Sequence, residues 1–221
     1  MEATIIVKEN WLTHRPARNA LNTTILLASI LLLGTIIYLN NYLTADMWMP
    51  ASYSTVFIKG QFYRLWTTLL AHAGAYHVLS NLILFLPFAY FLTSYFGFLF
   101  FPLGGFLVGG LINLVVLKTM PANVDLIGVS GVVYWMGAAW ITLSFLIDKR
   151  EKIPRRLLRV IGVSLVLFVP DTFEPNVSYL CHLTGYIFGV LSALIYYSIF
   201  SRKFDAAEVL EIEYDDMHQL L

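Results

Sequence analysis

Apolar residues in this chain come in long unbroken runs, without the rhythm of a domain that keeps one face wet. Six runs stand out, at about 20–39, 67–93, 98–117, 127–147, 156–170 and 179–200. A hydrocarbon core about 30 Å thick takes roughly 20 helical residues to cross. Within lipid every backbone N–H and C=O must find a partner in the protein, which leaves helices or a closed barrel. The runs lack the alternation of barrel strands, so the pattern predicts helices. The fifth run is the shortest and is expected to tilt, fray early or rest against its neighbours. The first run is too long for the apolar part of a signal peptide, and "YLNNYLTADMW" after it offers no small-residue cleavage site. It reads as a retained helix. The expected fold class is an all-α membrane protein, a six-transmembrane-helix bundle. Its expected parts are a cytoplasmic N-terminal segment (1–19), the helical domain (20–200) and an acidic cytoplasmic tail (201–221).

Composition agrees, and charge adds orientation. Of 221 residues, 58% are hydrophobic and only 13% charged, too few charges for a soluble domain of this length. The formal net charge of zero hides an asymmetry. Lys8, Arg15, Arg18, the stretch "DKREKIPRRLLR" between the fourth and fifth runs, Arg202 and Lys203 fall on one side of a six-crossing chain. The other side holds Lys59, Arg64 and Lys118. Basic loops stay inside, so both termini are expected in the cytoplasm, with the second, fourth and sixth runs descending from the external face. The expected location is a bacterial or archaeal cell membrane. The first external loop, about 40–66, carries Trp48, Met49, Phe57, Phe62, Tyr63 and Trp66, and is expected to lie along the outer leaflet. From Asp205 onward there are six acidic residues and no Lys or Arg, which reads as a solvated tail. The single Cys181 excludes an intrachain disulfide.

Polar side chains within lipid are costly, so the few present carry information. Ser130 lies near the outer end of the fourth run, His182 near that of the sixth, and His77 and Asn81 in the outer half of the second, with His72 just before them. Three separate segments thus bring polar groups to one shallow depth. Ser130, Tyr134 and Gly137 share a helix face, and so do His182, Gly185 and Gly189. The small-xxx-small stripe "GYIFG" lets two helix backbones approach closely. Packing of these two faces would bring Ser130 and His182 within hydrogen-bond reach. A serine hydroxyl becomes nucleophilic once a base takes its proton, and a neutral histidine serves. The resulting oxyanion needs fixed donors, for which the Asn81 amide, the His77 imidazole and the Ser130 backbone N–H are available. None of the six runs holds an Asp or Glu, and Asp125 in the preceding loop is the weaker option for a third member. The expectation is a Ser–His dyad with Tyr134 holding the imidazole.

"GVSG" at 128–131, "HAGAYHVLSN" at 72–81 and "HLTGYIFG" at 182–189 together resemble the rhomboid intramembrane serine proteases, a likeness that extends from "YRLWTT" at 63–68 through the sixth run. The order of these motifs and their common depth carry it, since each alone is commonplace. The resemblance implies a rhomboid-like fold, Ser130 as nucleophile and His182 as general base. It implies an oxyanion hole of His77, Asn81 and the Ser130 amide, with Gly128 and Gly131 keeping the backbone open and Tyr134 stacked on His182. Arg64 would match the arginine of the family's first-loop Trp-Arg motif. The fifth helix and the loop before the sixth would move to admit substrate, a single-pass membrane protein whose helix unwinds near the external face and is cut at a small residue. The resemblance implies no cofactor and no obligate metal; the partners are such substrates and the lipid bilayer, with no nucleic acid. Three positions depart from the pattern: Tyr63 stands where Trp is usual, Cys181 precedes the sixth-run histidine, and Thr93 occupies a place often held by glutamate.

Two other function classes compete. A metal transporter would use His72, His77, His182 and Cys181 as ligands, because imidazole and thiolate suit zinc or copper. It leaves Gly128, Ser130 and Gly131 without a role. A catalytically inactive rhomboid-like binder of membrane proteins is the other, although this chain keeps both serine and histidine. His14 and His218 lie in the polar ends and are expected to be bystanders. The chain has no His-Glu-x-x-His and no pair of aspartates in its runs, which disfavours metalloprotease and aspartyl chemistry.

Overall fold

A computed structural model of the chain describes residues 3–168 and 178–214. Among them are the helices α1 (Ala20–Leu39), α2 (Ala75–Phe98), α3 (Gly105–Leu117), α4 (Ser130–Ile147), α5 (Ile153–Phe168) and α6 (Tyr179–Asp205). Four helical stretches of the described residues are long and apolar enough to cross a membrane: Ala20–Leu39, Ala75–Leu117, Ser130–Ile147 and Tyr179–Asp205.

Helix α4 lies at the centre and is buried along most of its length, with Val133, Trp135, Met136 and Leu143 enclosed on all sides. Its glycine and alanine face receives α6, while α2, α3 and α5 close the remaining sides. α1 rests on α2 and on the turn ahead of it, where Gly34 meets Leu70. Large apolar side chains such as Leu21, Ile83, Leu107 and Ile195 point outward instead, the inverse of a water-soluble bundle and the surface a lipid solvent would wet.

The structure redraws two of the expected runs. The second does not continue through 67–93: a short helix, Arg64–Thr67, with the 3-10 turn Thr68–Leu70, ends at Ala71 in extended backbone, and α2 starts afresh at Ala75. The break lets His72 turn inward, where it is completely buried. At its far end α2 bends at Gly97 and passes through a π-helical turn, Leu99–Gly104, that contains Pro102, before α3 begins. α5 spans 153–168, with residues 169 and 170 of its expected run outside the described ones; among its own residues Leu167 alone is buried.

The polar ends are more structured than a solvated reading suggests. α6 continues to Asp205, and strand β1 (Ala3–Glu9) pairs antiparallel with β2 (Val209–Tyr214), Ile5 opposite Ile212. Asn10 donates to the buried carboxylate of Asp148 at 2.9 Å, Arg150 grips the same carboxylate with two nitrogens, and Arg159 reaches it from α5. Lys149 pairs with Asp205 and Glu208 at 3.0 and 2.8 Å. The N-terminal segment, the α4–α5 connection and the end of α6 therefore meet at one end of the bundle.

Candidate active site

At the opposite end, the turn that carries Ser130 is held by its backbone. The Gly128 N–H donates to the Thr68 carbonyl at 3.0 Å, the Thr68 hydroxyl donates to the Leu126 carbonyl, and the Leu126 N–H donates to the Ala51 carbonyl at 2.7 Å. Gly128 has φ +111°, a region closed to ordinary side chains, and a Cβ there would stand 3.0 Å from the His77 ring. Only glycine fits.

His72 is the buried support of this turn. Thr35 of α1 spends its hydroxyl proton on the Leu31 carbonyl at 2.8 Å, so toward His72 Nδ1, 2.9 Å away, it acts as acceptor. That bond selects the neutral tautomer protonated at Nδ1 and leaves the Nε2 lone pair to receive the Val129 N–H at 3.4 Å. Burial lowers the His72 pKa to about 4, with His77 nearby adding to the effect and a bond to the Leu70 carbonyl opposing it. The ring stays neutral at physiological pH, as an acceptor must. The residue it holds is the one before Ser130.

The first turns of α4 and α6 come into backbone contact. A Cβ on Gly185 would lie 2.1 Å from the Gly131 carbonyl oxygen, one on Gly189 2.4 Å from that of Trp135, and one on Gly131 2.7 Å from Cys181 Sγ. Ser130 precedes Gly131, and His182 follows Cys181, so both stand at this contact. Across it the rings of Tyr134 and His182 stack at 4.0 Å and 10°. The Tyr134 hydroxyl donates to the Leu167 carbonyl of α5 while its ring meets Phe168 edge-on, tying three helices together. His182 is nearly fully buried and Ser130 half-buried.

His77 and Asn81 lie one turn apart on α2. His77 Nδ1 accepts the Ala73 N–H at 3.3 Å, which puts its ring proton on Nε2, on the edge of the ring that faces Gly128. Asn81 is buried, and its Nδ2 has no hydrogen-bond partner. A buried donor without an acceptor costs about 1–3 kcal/mol, a penalty proteins accept where a ligand atom is to arrive.

The structure thus gathers Ser130, His182, Tyr134, Gly128, Gly131, Gly185, Gly189 and His77 around adjoining helix ends, with Asn81 one turn deeper on α2. Arg64 is elsewhere: buried, it donates to Gln61 Oε1 and the Pro50 carbonyl, both at 2.7 Å, and to the Met47 carbonyl, fastening the loop after α1. Asp125 is exposed on its loop. Thr93 is buried with an unpartnered hydroxyl. The loop before α6, expected to move, lies outside the described residues. Sequence reasoning passed over Thr35 and Thr68; a hydroxyl inside an apolar run was the available signal for the first. Among the described residues no group of three or more His, Cys, Asp or Glu is arranged to hold a metal ion.

A family model described as the Rhomboid domain matches residues 59–199. The match begins ahead of Arg64 and takes in α2 through most of α6, leaving α1 and the terminal strands outside. No curated protein matches the chain.

Proposed function

The chain belongs to the rhomboid family, generally intramembrane proteases, and from that premise we propose that it is a serine endopeptidase working through a Ser130–His182 dyad. The observation that carries this reading is the backbone contact of the first turns of α4 and α6, with His182 stacked on Tyr134 one turn from Ser130. In this mechanism the Ser130 oxygen attacks the scissile carbonyl carbon as its proton passes to the His182 imidazole. The oxyanion takes hydrogen bonds from Asn81 Nδ2, His77 Nε2 and the Ser130 N–H, and the positive end of the α4 dipole favours the same charge. The C–N bond then breaks, and His182 hands its proton to the departing amine. Water, deprotonated by the same imidazole, releases the acyl group. Tyr134 has no carboxylate's charge to offer; it fixes the ring by stacking and by anchoring to Leu167.

The protein is an integral membrane protein. In the proposed topology Ala75–Leu117 crosses twice, turning at Gly97, and α5 completes six crossings with both termini in the cytoplasm. Support comes from the meeting of the N-terminal segment, the α4–α5 connection and the end of α6 at one end, as an even number of crossings requires. The site then faces the external side, where water is at hand, and takes single-pass membrane proteins whose helices unwind there.

A fluorophosphonate probe tests the proposal. It should label the purified protein at Ser130, and Ser130→Ala should abolish both labelling and cleavage of a membrane-anchored substrate. Labelling that survives the substitution places the nucleophile elsewhere. Absence of labelling in a folded protein leaves the reading of a membrane-protein binder.

A further inference from the structure

At the basic end of the bundle, far from Ser130, the last turns of α4 and the first turns of α5 part to leave a small cleft of about 30 Å³, open to the surface on one side. Trp140, Ser144 and Phe145 of α4 and Arg156, Arg159 and Val160 of α5 line it. Two donors there have nothing to bond: Ser144 Oγ and Arg156 Nε are shut off from solvent and have no hydrogen-bond partner. Ser144 is only 6% exposed. A helical serine in lipid ordinarily spends its proton on the carbonyl one turn back. This one does not.

The guanidinium of Arg156 is oriented but not neutralised. It donates to the Phe145 carbonyl and lies over the Phe145 ring at 4.6 Å, contacts that fix its plane and leave its charge uncompensated. Asp148 and Glu151, the two carboxylates of the connection, are taken by Arg150 and Arg159. Residues 148–159 hold six basic against two acidic side chains, so the surroundings favour an anion. Beside the cleft, α5 presents Leu157, Ile161 and Leu165 to the outside, an apolar flank next to a cationic pocket.

We propose that this cleft binds the phosphate of an anionic membrane lipid, with Arg156 and Ser144 donating to its oxygens and its acyl chains lying along the exposed flank of α5. Phosphate oxygens suit a guanidinium with an open N–H and a hydroxyl with a free proton. The apolar flank distinguishes a lipid from a free ion, which would gain nothing from it. The site is independent of the proteolytic reading, since it uses none of those residues.

The test is thermal unfolding of the full chain in a neutral detergent, titrated with phosphatidylglycerol, phosphatidylcholine or inorganic phosphate. Phosphatidylglycerol should raise the unfolding temperature by mass action, and the other two should not. Ser144→Ala, which breaks no bond in the protein, should weaken the apparent affinity about tenfold, the worth of one charge-assisted hydrogen bond. Arg156→Gln should weaken it further, while Arg155→Gln, at the exposed neighbouring position, should not. Equal stabilisation by phosphatidylcholine, or by inorganic phosphate, overturns the proposal. So does an Arg155→Gln variant impaired as much as Ser144→Ala, which would assign the effect to diffuse surface charge. If Arg156→Gln does not fold, the Ser144→Ala comparison decides alone.

Discussion

The buried, partnerless amide of Asn81 separates a catalytic role from a structural one. Since Nδ2 makes no bond in the resting protein, replacing Asn81 by Ala removes no existing contact of that donor. Stability should therefore change little, while the rate constant for cleavage falls about 10²–10³-fold, the usual cost of a missing oxyanion donor. A variant with full activity would mean that the charge is met by other groups; a variant that unfolds would make Asn81 a packing residue. Much at this scale could be read from the sequence. The spacing puts Tyr134 on the same face as Ser130, one turn on, and the resemblance implies the stack on His182 that the structure contains. His72 was harder to weigh, because its importance rests on Thr35, a residue of another helix, and on the Val129 amide, neither of which its own neighbours in sequence announce.

Between elements, the decisive contact is the one that no side chain can enter. The Gly185→Ala methyl would fall on a backbone carbonyl, which has no rotamer to swing away, so α4 and α6 must separate. The expected cost is about 1–3 kcal/mol or more, seen as a lower unfolding temperature together with lost probe labelling. Gly162→Ala on α5 is the control: nothing lies within 4 Å of the added methyl, and better helix propensity should leave the protein as stable or slightly more so. Equal effects of the two would remove the close approach as the reason for glycine at 185. The sequence announced this pairing through "GYIFG", since a small-residue stripe is a local signal. The break before α2 left no such signal, because "LLAHAGAY" is as apolar as a helix would be and differs only in where its backbone bonds go.

For the molecule as a whole, acid should loosen the two ends in separate windows. His72 has a native pKa of about 4 against about 6.5 unfolded, so between these values the unfolded chain takes up a proton that the native one refuses. Stability should fall as pH drops from 6.5 to 4, by up to roughly 3 kcal/mol. At the other end, burial pushes the Asp148 carboxyl up, but the Arg150 guanidinium and the Asn10 amide outweigh it and hold the pKa at about 2. Its contribution is present above about 4 and lost as pH falls through 2. Unfolding temperatures followed against pH should show both declines, and His72→Gln should flatten only the upper one; a native curve level from 6.5 to 4 would contradict the buried neutral ring. The strands at the chain ends stayed hidden from sequence reading because "ATIIVKE" and "VLEIEY" alternate only briefly and gain meaning from each other across the whole chain. Their pairing also fixes an order of events in biosynthesis. The strand made before the six helices must wait, edge bare, until the one made after them has emerged, so the ribbon can close only once all the helices between have been synthesised.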